Sequence, residues 1–161
     1  PFRAVEVAVI AGMGWRTIAR ILEAGPRPPS VVLHAEDDPG SLRAWLAGSG
    51  WSIEAEDLVA VGPRFAQACR AVAGVEPASG LDLWYGPHLS RRTDPLAAQW
   101  LARELARQQG IAAAAGGSAA GTGARSHVSF LQARLRLCPG AAPGYVEEGT
   151  GSAGRPQGDS C

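Results

Sequence analysis

An apolar run, a glycine turn and a helical stripe follow one another at the start of the chain. Residues 5–10 are mostly apolar and predict a strand that is buried on both faces. A tight turn over Gly12-Met13-Gly14 follows, and the helix after it ends at Gly25-Pro26. Apolar residues at the i, i+3, i+4 spacing mark the buried face of that helix: Ile18, Ile21 and Leu22. This order predicts half of a parallel βαβ unit, whose turn lies at the carboxyl edge of the sheet, where ligands bind.

A second strand and a second helix continue the pattern. Residues 31–34 predict a short buried strand. Asp38 suits the N-cap of the helix that follows, and Pro39 suits its first position. The apolar stripe of this helix, which Gly48 or Gly50 ends, consists of Leu42, Trp45 and Leu46. We therefore expect the two strands to be parallel neighbours joined by a right-handed crossover.

The pattern then changes from helical to strand-like. Residues 51–61 predict a strand, and Gly62-Pro63-Arg64 predicts a turn. Residues 65–75 predict the returning strand, although their alanines would also allow a helix. An antiparallel hairpin after parallel units predicts a mixed sheet with the hairpin at one edge. A further helix opens at Asp94-Pro95.

Composition narrows the class of protein. The 161 residues leave room for one domain, and 46% of them are apolar, which is enough for a core. The formal net charge is zero, so no global positive field points to nucleic acid. The sequence shows no membrane span or signal peptide, no metal cluster, and no Ser/His/Asp or Cys/His catalytic set. Beyond Gly110 the chain becomes rich in Ala, Gly, Ser and Pro, which predicts a flexible tail.

The residues alone leave two interpretations of the glycine turn open. Gly12 and Gly14 would let a pyrophosphate approach the helix N-terminus, as in NAD- or FAD-binding sheets. Glu36 or Asp37 would then bind the ribose, but Thr17 stands where that fingerprint has a small residue. The other interpretation is a structural turn between a buried strand and a helix.

Three longer motifs resemble one family of enzymes. They are IAGMG-x3-I-x2-IL from Ile10, SLRAWL-x2-SGWSIEAEDLV from Ser41 and YGPHL-x5-P from Tyr85. In this order they resemble the bacterial tRNA (adenine-22-N1)-methyltransferases, class I enzymes that use S-adenosylmethionine. The likeness covers about residues 3–109, and the first and third motifs are specific together although each is weak alone.

The resemblance implies a partial class I methyltransferase fold. This is an α/β, Rossmann-like sheet with parallel strands plus an antiparallel edge hairpin, followed by a helix and a disordered tail. It implies the second half of a methyltransferase domain over residues 1–88 and the start of a helical carboxyl-terminal domain over residues 89–110. Residues 111–161 are expected to form a low-complexity, largely disordered tail. We expect the family's first strands, which would carry most of the donor site, to lie outside this chain, so that the chain alone is inactive.

The resemblance also implies a set of site residues. The residues expected to border the S-adenosylmethionine methyl group are Ala11, Gly12, Met13 and Gly14. The residues expected to contact the tRNA substrate are His34, Glu36, Arg91 and Arg92. A plainer interpretation is that Asp37 and Asp38 cap the second helix and that the arginines lie on a solvated helix face.

Three hypotheses on function stay open. The first is an RNA methyltransferase whose amino-terminal half lies outside this chain, with tRNA as its partner. The second is an NAD- or FAD-binding Rossmann fragment, and the third is a decayed, non-catalytic domain. The third is favoured by Trp15, which replaces a family glycine, and by His34-Ala35-Glu36, which replaces the family's QPN. The resemblance implies a cytoplasmic location, or a plastid or other organelle in a eukaryote, and the sequence sets no oligomeric state.

Overall fold

The computed structural model describes residues 5–139, which contain one sheet and the helices around it. The strands are β1 (Val7–Met13), β2 (Ser30–Ala35), β3 (Trp51–Val61) and β4 (Arg64–Ala73). The helices are α1 (Trp15–Glu23), α2 (Pro39–Gly48), α3 (Gly80–Tyr85), α4 (Pro95–Ala115) and α5 (Ala119–Leu135). A 3₁₀ turn at Leu89–Arg91 joins α3 to α4. This arrangement confirms the predicted α/β, Rossmann-like fold.

The sheet is mixed and has the strand order β1-β2-β4-β3. β1 pairs with β2 in parallel, as predicted for the βαβ unit. β4 pairs antiparallel with both β2 and β3. The predicted hairpin at one edge is therefore confirmed, and the helical alternative for residues 65–75 is wrong.

One face of the sheet carries the main core. Ile18 of α1 and Leu46 of α2 are fully buried against it. On the opposite face of β1, Val7 is 47% exposed and Val9 is 70% exposed. The prediction that this strand is buried on both faces is wrong for the described residues. The reason is that β1 is an edge strand here and both helices of the parallel unit pack on the other face.

The β3–β4 hairpin reaches past the carboxyl edge of the parallel strands. Its pairing continues from Asp57–Ala68 to Val61–Arg64, about 17 Å of strand beyond the last β2 pair. A second apolar cluster forms around this projecting part and helices α3 to α5: Leu58, Tyr85, Leu89, Trp100, Leu101, Leu131 and Cys138. The antiparallel pair α4–α5 thus stands on the side of the sheet where the parallel strands end.

The expectation of a flexible tract after Gly110 is wrong as far as residue 135. α4 continues to Ala115, and α5 follows after a three-residue turn. Ser118 caps α5 by accepting a hydrogen bond from the Gly121 backbone at 3.2 Å, and Leu131 anchors the helix in the second cluster. Alanine is the best helix former, so this tract folds once α4 offers it a surface. The rest of the expected tail, residues 140–161, lies outside the described residues. No helix in the described part is long and apolar enough to cross a membrane.

Candidate functional site

The glycine bend closes β1 at the carboxyl edge of the sheet. Gly12 has a φ of +74°, and the β1–β2 register shifts between Ala11 and Met13. Such a φ is rarely adopted by residues with a side chain, so glycine permits this bend. The Glu36 backbone N–H donates to the Met13 carbonyl at 3.0 Å, which ties the bend to the end of β2. Ala11, Gly12 and Met13 are exposed, so a ligand can reach them.

The side chains that follow β2 meet this bend. Ala11 pairs in register with His34, and a Cβ atom on Gly12 would lie 3.9 Å from the Glu36 carboxylate. The structure therefore brings the expected donor-site residues together with two of the expected substrate-site residues. All of them lie at the carboxyl edge, where ligands of open α/β sheets bind.

Asp37 is bound to the N-terminus of α1. The Trp15 backbone N–H donates to Asp37 Oδ1 at 2.9 Å, and this bond is the main reason that the Asp37 pKa is lowered. A Cβ atom on Gly14 would lie 2.8 Å from Asp37 Oδ2, so glycine at that position allows the close approach. Asp38 caps α2, as expected, by accepting from the Ser41 backbone at 3.0 Å. The expectation that Asp37 also caps α2 is wrong.

The position of the Asp37 carboxylate tests the interpretation of the glycine turn as an NAD- or FAD-binding site. In NAD- and FAD-binding sheets, the pyrophosphate takes the position at the helix N-terminus that Asp37 fills here. A second anion there would meet like-charge repulsion. This observation counts against an NAD or FAD site at this turn.

His34 is half-buried on the face of the sheet opposite the main core. Its Nδ1 lies 2.9 Å from the backbone carbonyl oxygen of Gln67. A carbonyl oxygen only accepts hydrogen bonds, so Nδ1 carries the hydrogen. In the neutral ring, Nε2 then presents an acceptor lone pair.

The two expected arginines lie elsewhere. Arg92 pairs with Asp94 at 2.7 Å and with Asp57 of β3 at 3.2 Å. Its hydrogen bond to Asp94 is the main cause of a raised Arg92 pKa. In the strand order, β3 is three positions from β1, which is about 14 Å across the sheet. The Arg91 guanidinium forms no ion pair among the described residues, so of the two arginines it is the one available to a phosphate.

A buried ion pair was not predicted from the sequence. Arg43 Nε lies 2.6 Å from Glu56 Oε1, and the two side chains are 3% and 0% exposed. Strand alternation from Trp51 and Ile53 would place Glu56 on the solvent face. The register of β3 shifts between Ile53 and Ala55, which turns Glu56 inward. The sequence holds no clear signal for such a bulge.

The interior beneath α2 offers no room for a cofactor. A cavity there has a volume of about 10 Å³, which is enough for one water molecule. Its walls come from β2, α2 and β4: Leu33, Ala35, Pro39, Leu42, Arg43, Gln67, Ala68 and Cys69. The described residues also hold no cluster of three or more His, Cys, Asp or Glu side chains that could bind a metal. The candidate site is the carboxyl edge of the sheet, where the glycine bend, His34 and Glu36 lie together.

Comparison with known proteins identifies one family. A family model described as tRNA (adenine(22)-N(1))-methyltransferase matches residues 2–135. No curated protein sequence matches the chain significantly.

Solved structures share the fold. An inferred tRNA (m1A22) methyltransferase of Streptococcus pneumoniae is 27% identical with a TM-score of 0.73, and the match covers 81% of this chain and 62% of that one. A second structure of that protein, in complex with S-adenosyl-L-methionine, gives a TM-score of 0.69 over 81% of this chain and 60% of that one, again at 27% identity. TrmK of M. capricolum, in complex with S-adenosyl-homocysteine, is 13% identical with a TM-score of 0.68, over 83% of this chain and 61% of that one. The chain thus spans about three fifths of the length of these relatives.

Proposed function

Because this chain belongs to the tRNA (adenine(22)-N(1))-methyltransferase family, we propose that it forms the substrate-facing part of an S-adenosylmethionine-dependent enzyme that methylates adenine N1 in tRNA. One observation carries the proposal. The family match includes the glycine bend, and that bend lies at the ligand-binding edge of the sheet beside His34 and Glu36. On the resemblance alone, we also propose a cytoplasmic or organellar location.

The reaction requires little covalent catalysis by the protein. S-adenosylmethionine supplies a methyl group that its sulfonium already activates. Adenine N1 attacks with its ring lone pair, the carbon–sulfur bond breaks, and the positive charge passes from sulfur to the base. The protein must therefore hold the base in line with the methyl group and exclude water.

Residues at the carboxyl edge suit these tasks. The small residues Ala11, Gly12 and Gly14 let backbone come close to both reactants. When the His34 ring carries a hydrogen on Nδ1 alone, Nε2 is an acceptor, which suits the amino group next to adenine N1. The exposed Glu36 carboxylate beside Gly12 favours the positive charge that the methylated base acquires.

The residues present could form one side of an S-adenosylmethionine pocket, and further polypeptide would have to form the other side. The outer edge of β1 pairs with no described strand, and Val7 and Val9 leave an apolar face beside it. Unpaired strand edges commonly pair with further strands, and exposed apolar faces commonly pack against further polypeptide. We propose that the part of the relatives beyond this match pairs with β1, covers these valines and closes the donor pocket. The chain on its own should then show no measurable affinity for S-adenosylmethionine.

A hybrid protein tests the function. The amino-terminal part of the pneumococcal relative is joined ahead of β1, and methyl transfer to a tRNA transcript is followed by mass spectrometry of the nucleosides. We expect N1-methyladenine from the hybrid and none from a matched hybrid with Gly12→Val, because the branched side chain is strained at this φ and blocks the bend. A hybrid that binds the donor by calorimetry and leaves the adenine unmodified would contradict the proposal.

A second candidate is a decayed, non-catalytic domain. Trp15 favours it, since this large side chain stands beside the bend where the family has glycine. The indole packs partly against the main core, and the Arg16 guanidinium carbon lies 5.0 Å from its ring centre. The hybrid separates the two candidates, because the second predicts no methyl transfer even when the hybrid binds the donor.

A further inference from the structure

We propose that Arg43 and Glu56 form a buried clamp that fixes how helices α4 and α5 stand over the carboxyl edge of the sheet. The two residues would then be positioning residues for the substrate. The part of this proposal that concerns the substrate rests on the proposed methyltransferase function. The part that concerns the helices depends on the structure alone.

The clamp holds the segment that leads from α3 into α4. Glu56 Oε2 accepts hydrogen bonds from the backbone N–H groups of His88 at 2.9 Å and Leu89 at 3.2 Å. Arg43 Nη1 donates to the Trp84 carbonyl at 3.0 Å. Both ends of this segment are therefore tied to the same ion pair. Since the segment carries the chain from the main core to the second cluster, the clamp sets the direction in which the chain leaves the sheet.

The clamp itself is fixed from several sides. Besides the 2.6 Å contact with Glu56, Arg43 donates from Nη2 to Gln67 Oε1 at 2.8 Å. The bonds thus reach β3, β4 and the α3–α4 segment from one guanidinium on α2. Buried charges are costly to desolvate, and an apolar pair often gives equal or greater stability. A fully hydrogen-bonded pair instead fixes the orientation of the segments that it joins, because each bond constrains both distance and angle.

The backbone around the clamp is shaped to receive it. Gly86 has a φ of +93°, and a Cβ atom there would lie 2.5 Å from Glu56 Oε1. Only glycine lets the segment wrap this closely around the carboxylate. The His88 ring adds a second tie, since its Nε2 lies 2.9 Å from the Ile53 carbonyl oxygen.

This geometry matters because the two halves of the candidate site belong to different parts of the fold. The glycine bend and His34 lie on the parallel strands, while Arg91 lies at the entry to α4. A nucleic acid that Arg91 binds would place its base at the glycine bend only if the distance between these two regions is constant. Transfer of a group between two reactants is sensitive to misplacement on the scale of 1 Å. The clamp joins the two parts directly.

A distance measurement tests the clamp without any activity. Spin labels are placed on the full chain through Arg20→Cys on α1 and Gln109→Cys on α4, both exposed positions. Cys161→Ser removes a competing thiol, and Cys69 and Cys138 are buried. The deciding variant is Arg43→Met with Glu56→Gln, which removes both charges and leaves no lone charge inside the protein. Glu104→Gln, which breaks the exposed ion pair with Arg107, is the matched control.

The native chain and the control should each give one narrow distance distribution. The double variant should stay folded by circular dichroism and lose that single narrow distribution. A purely stabilising pair would predict that a folded double variant keeps it, and an unchanged distribution would overturn the clamp. Gly86→Ala, which keeps both charges and crowds the carboxylate, should broaden the distribution in the same way.

A crosslinking arm tests the role in substrate placement. A tRNA transcript with a photoreactive adenine at position 22 should crosslink to residues 11–14 of the native chain. The double variant should bind the transcript with unchanged affinity and lose this crosslink, whereas a retained crosslink would refute the positioning role. If the native chain does not bind the transcript, the proposed function fails, and the distance distribution still decides the clamp.

Discussion

Asp37 Oδ1 accepts a hydrogen bond from the Trp15 backbone at 2.9 Å, across 22 positions of sequence. It places a negative charge at the N-terminus of α1, where the helix dipole favours one. The same bond joins the end of β2 to the glycine bend, so it stabilises the candidate donor site directly. Asp37→Asn keeps an oxygen that can accept this hydrogen bond and removes the charge, so it should lower the free energy of unfolding by about 0.3 to 1 kcal/mol, the usual contribution of a charge at a helix terminus. Urea denaturation measures this, with Glu36→Gln as a control that changes the charge equally and breaks no side-chain hydrogen bond.

The contribution of Asp37 should also depend on pH. The Trp15 N–H lowers the Asp37 pKa in the folded protein below its ordinary value, which the unfolded chain retains. The stabilisation is therefore fully present above the unfolded pKa and is lost as the pH falls through the folded pKa. The difference in unfolding free energy between the native protein and Asp37→Asn should shrink as the solution is acidified through this range. A difference that stays constant with pH would show that the charge of Asp37 is not involved.

Gly86 should tolerate no side chain. Gly86→Ala combines a positive φ with a Cβ 2.5 Å from Glu56 Oε1, and should cost about 2 kcal/mol or more of stability. Gly62→Ala is the matched control, because Gly62 has a φ of +56° and open space around it. In chemical denaturation, the control measures the loss of stability that comes from the positive φ alone. Equal losses in the two variants would mean that the Glu56 contact relaxes freely.

Tyr85 joins α3 to α5 through its hydroxyl group. The Tyr85 oxygen lies 2.7 Å from His127 Nδ1, the Tyr85 ring stacks on Phe130 at 5.5 Å, and burial raises the pKa of Tyr85 to about 12. Tyr85→Phe keeps the ring stacking and removes the hydrogen bond, so we expect a loss of about 1 kcal/mol. Thermal unfolding followed by circular dichroism measures it. An unchanged midpoint would show that water replaces the lost partner at no cost.

His127 should make the stability sensitive to mild acid. Burial, assisted by the Arg107 charge, lowers the His127 pKa in the folded protein. The unfolded chain therefore takes up its proton first, so stability should fall as the pH drops through the ordinary histidine range and level off below the folded pKa. His127→Gln should reduce this loss between pH 7 and about pH 5 in urea titrations. The same slope in both proteins would assign the effect to other groups.

Arg91 should contribute to RNA affinity without sequence preference. Its guanidinium forms no ion pair among the described residues, whereas Arg107 is held by Glu104 at 2.8 Å. Arg91→Gln should weaken the binding of a tRNA transcript and reduce the slope of log K against log salt by about 1. Arg107→Gln serves as the comparison, and we expect a smaller change because its charge is already paired. Equal salt slopes for Arg91→Gln and the native chain would remove Arg91 from the RNA surface.

Several features of the fold followed directly from the sequence. Alternating and helical apolar spacing predicted β1, α1, β2 and α2, and Asp38 and Asp94 were found as caps because capping is local chemistry. The hairpin was predictable because its turn, Gly62-Pro63, stands between two runs of similar length. The glycine bend was placed at the carboxyl edge by strand–turn–helix order alone.

Other features escaped that analysis for physical reasons. The burial of Glu56 depends on a bulge in β3, which reverses the side-chain alternation that sequence patterns assume. The side-chain acceptor at the N-terminus of α1 comes from Asp37, which lies after the next strand and is brought there by the parallel pairing of β1 with β2. α5 was predicted as flexible, since its alanines and glycines carry little apolar signal until α4 offers a surface.

The sequence by itself determined the order of strands and helices, the helix caps and the family resemblance, because each depends on neighbours along the chain. Only the tertiary structure decided that the outer edge of β1 pairs with no described strand, that Asp37 lies at the N-terminus of α1, and that Arg43 and Glu56 meet inside the protein. Those relationships join residues on separate elements. They are set by strand register and helix packing, which local patterns along a single chain do not encode.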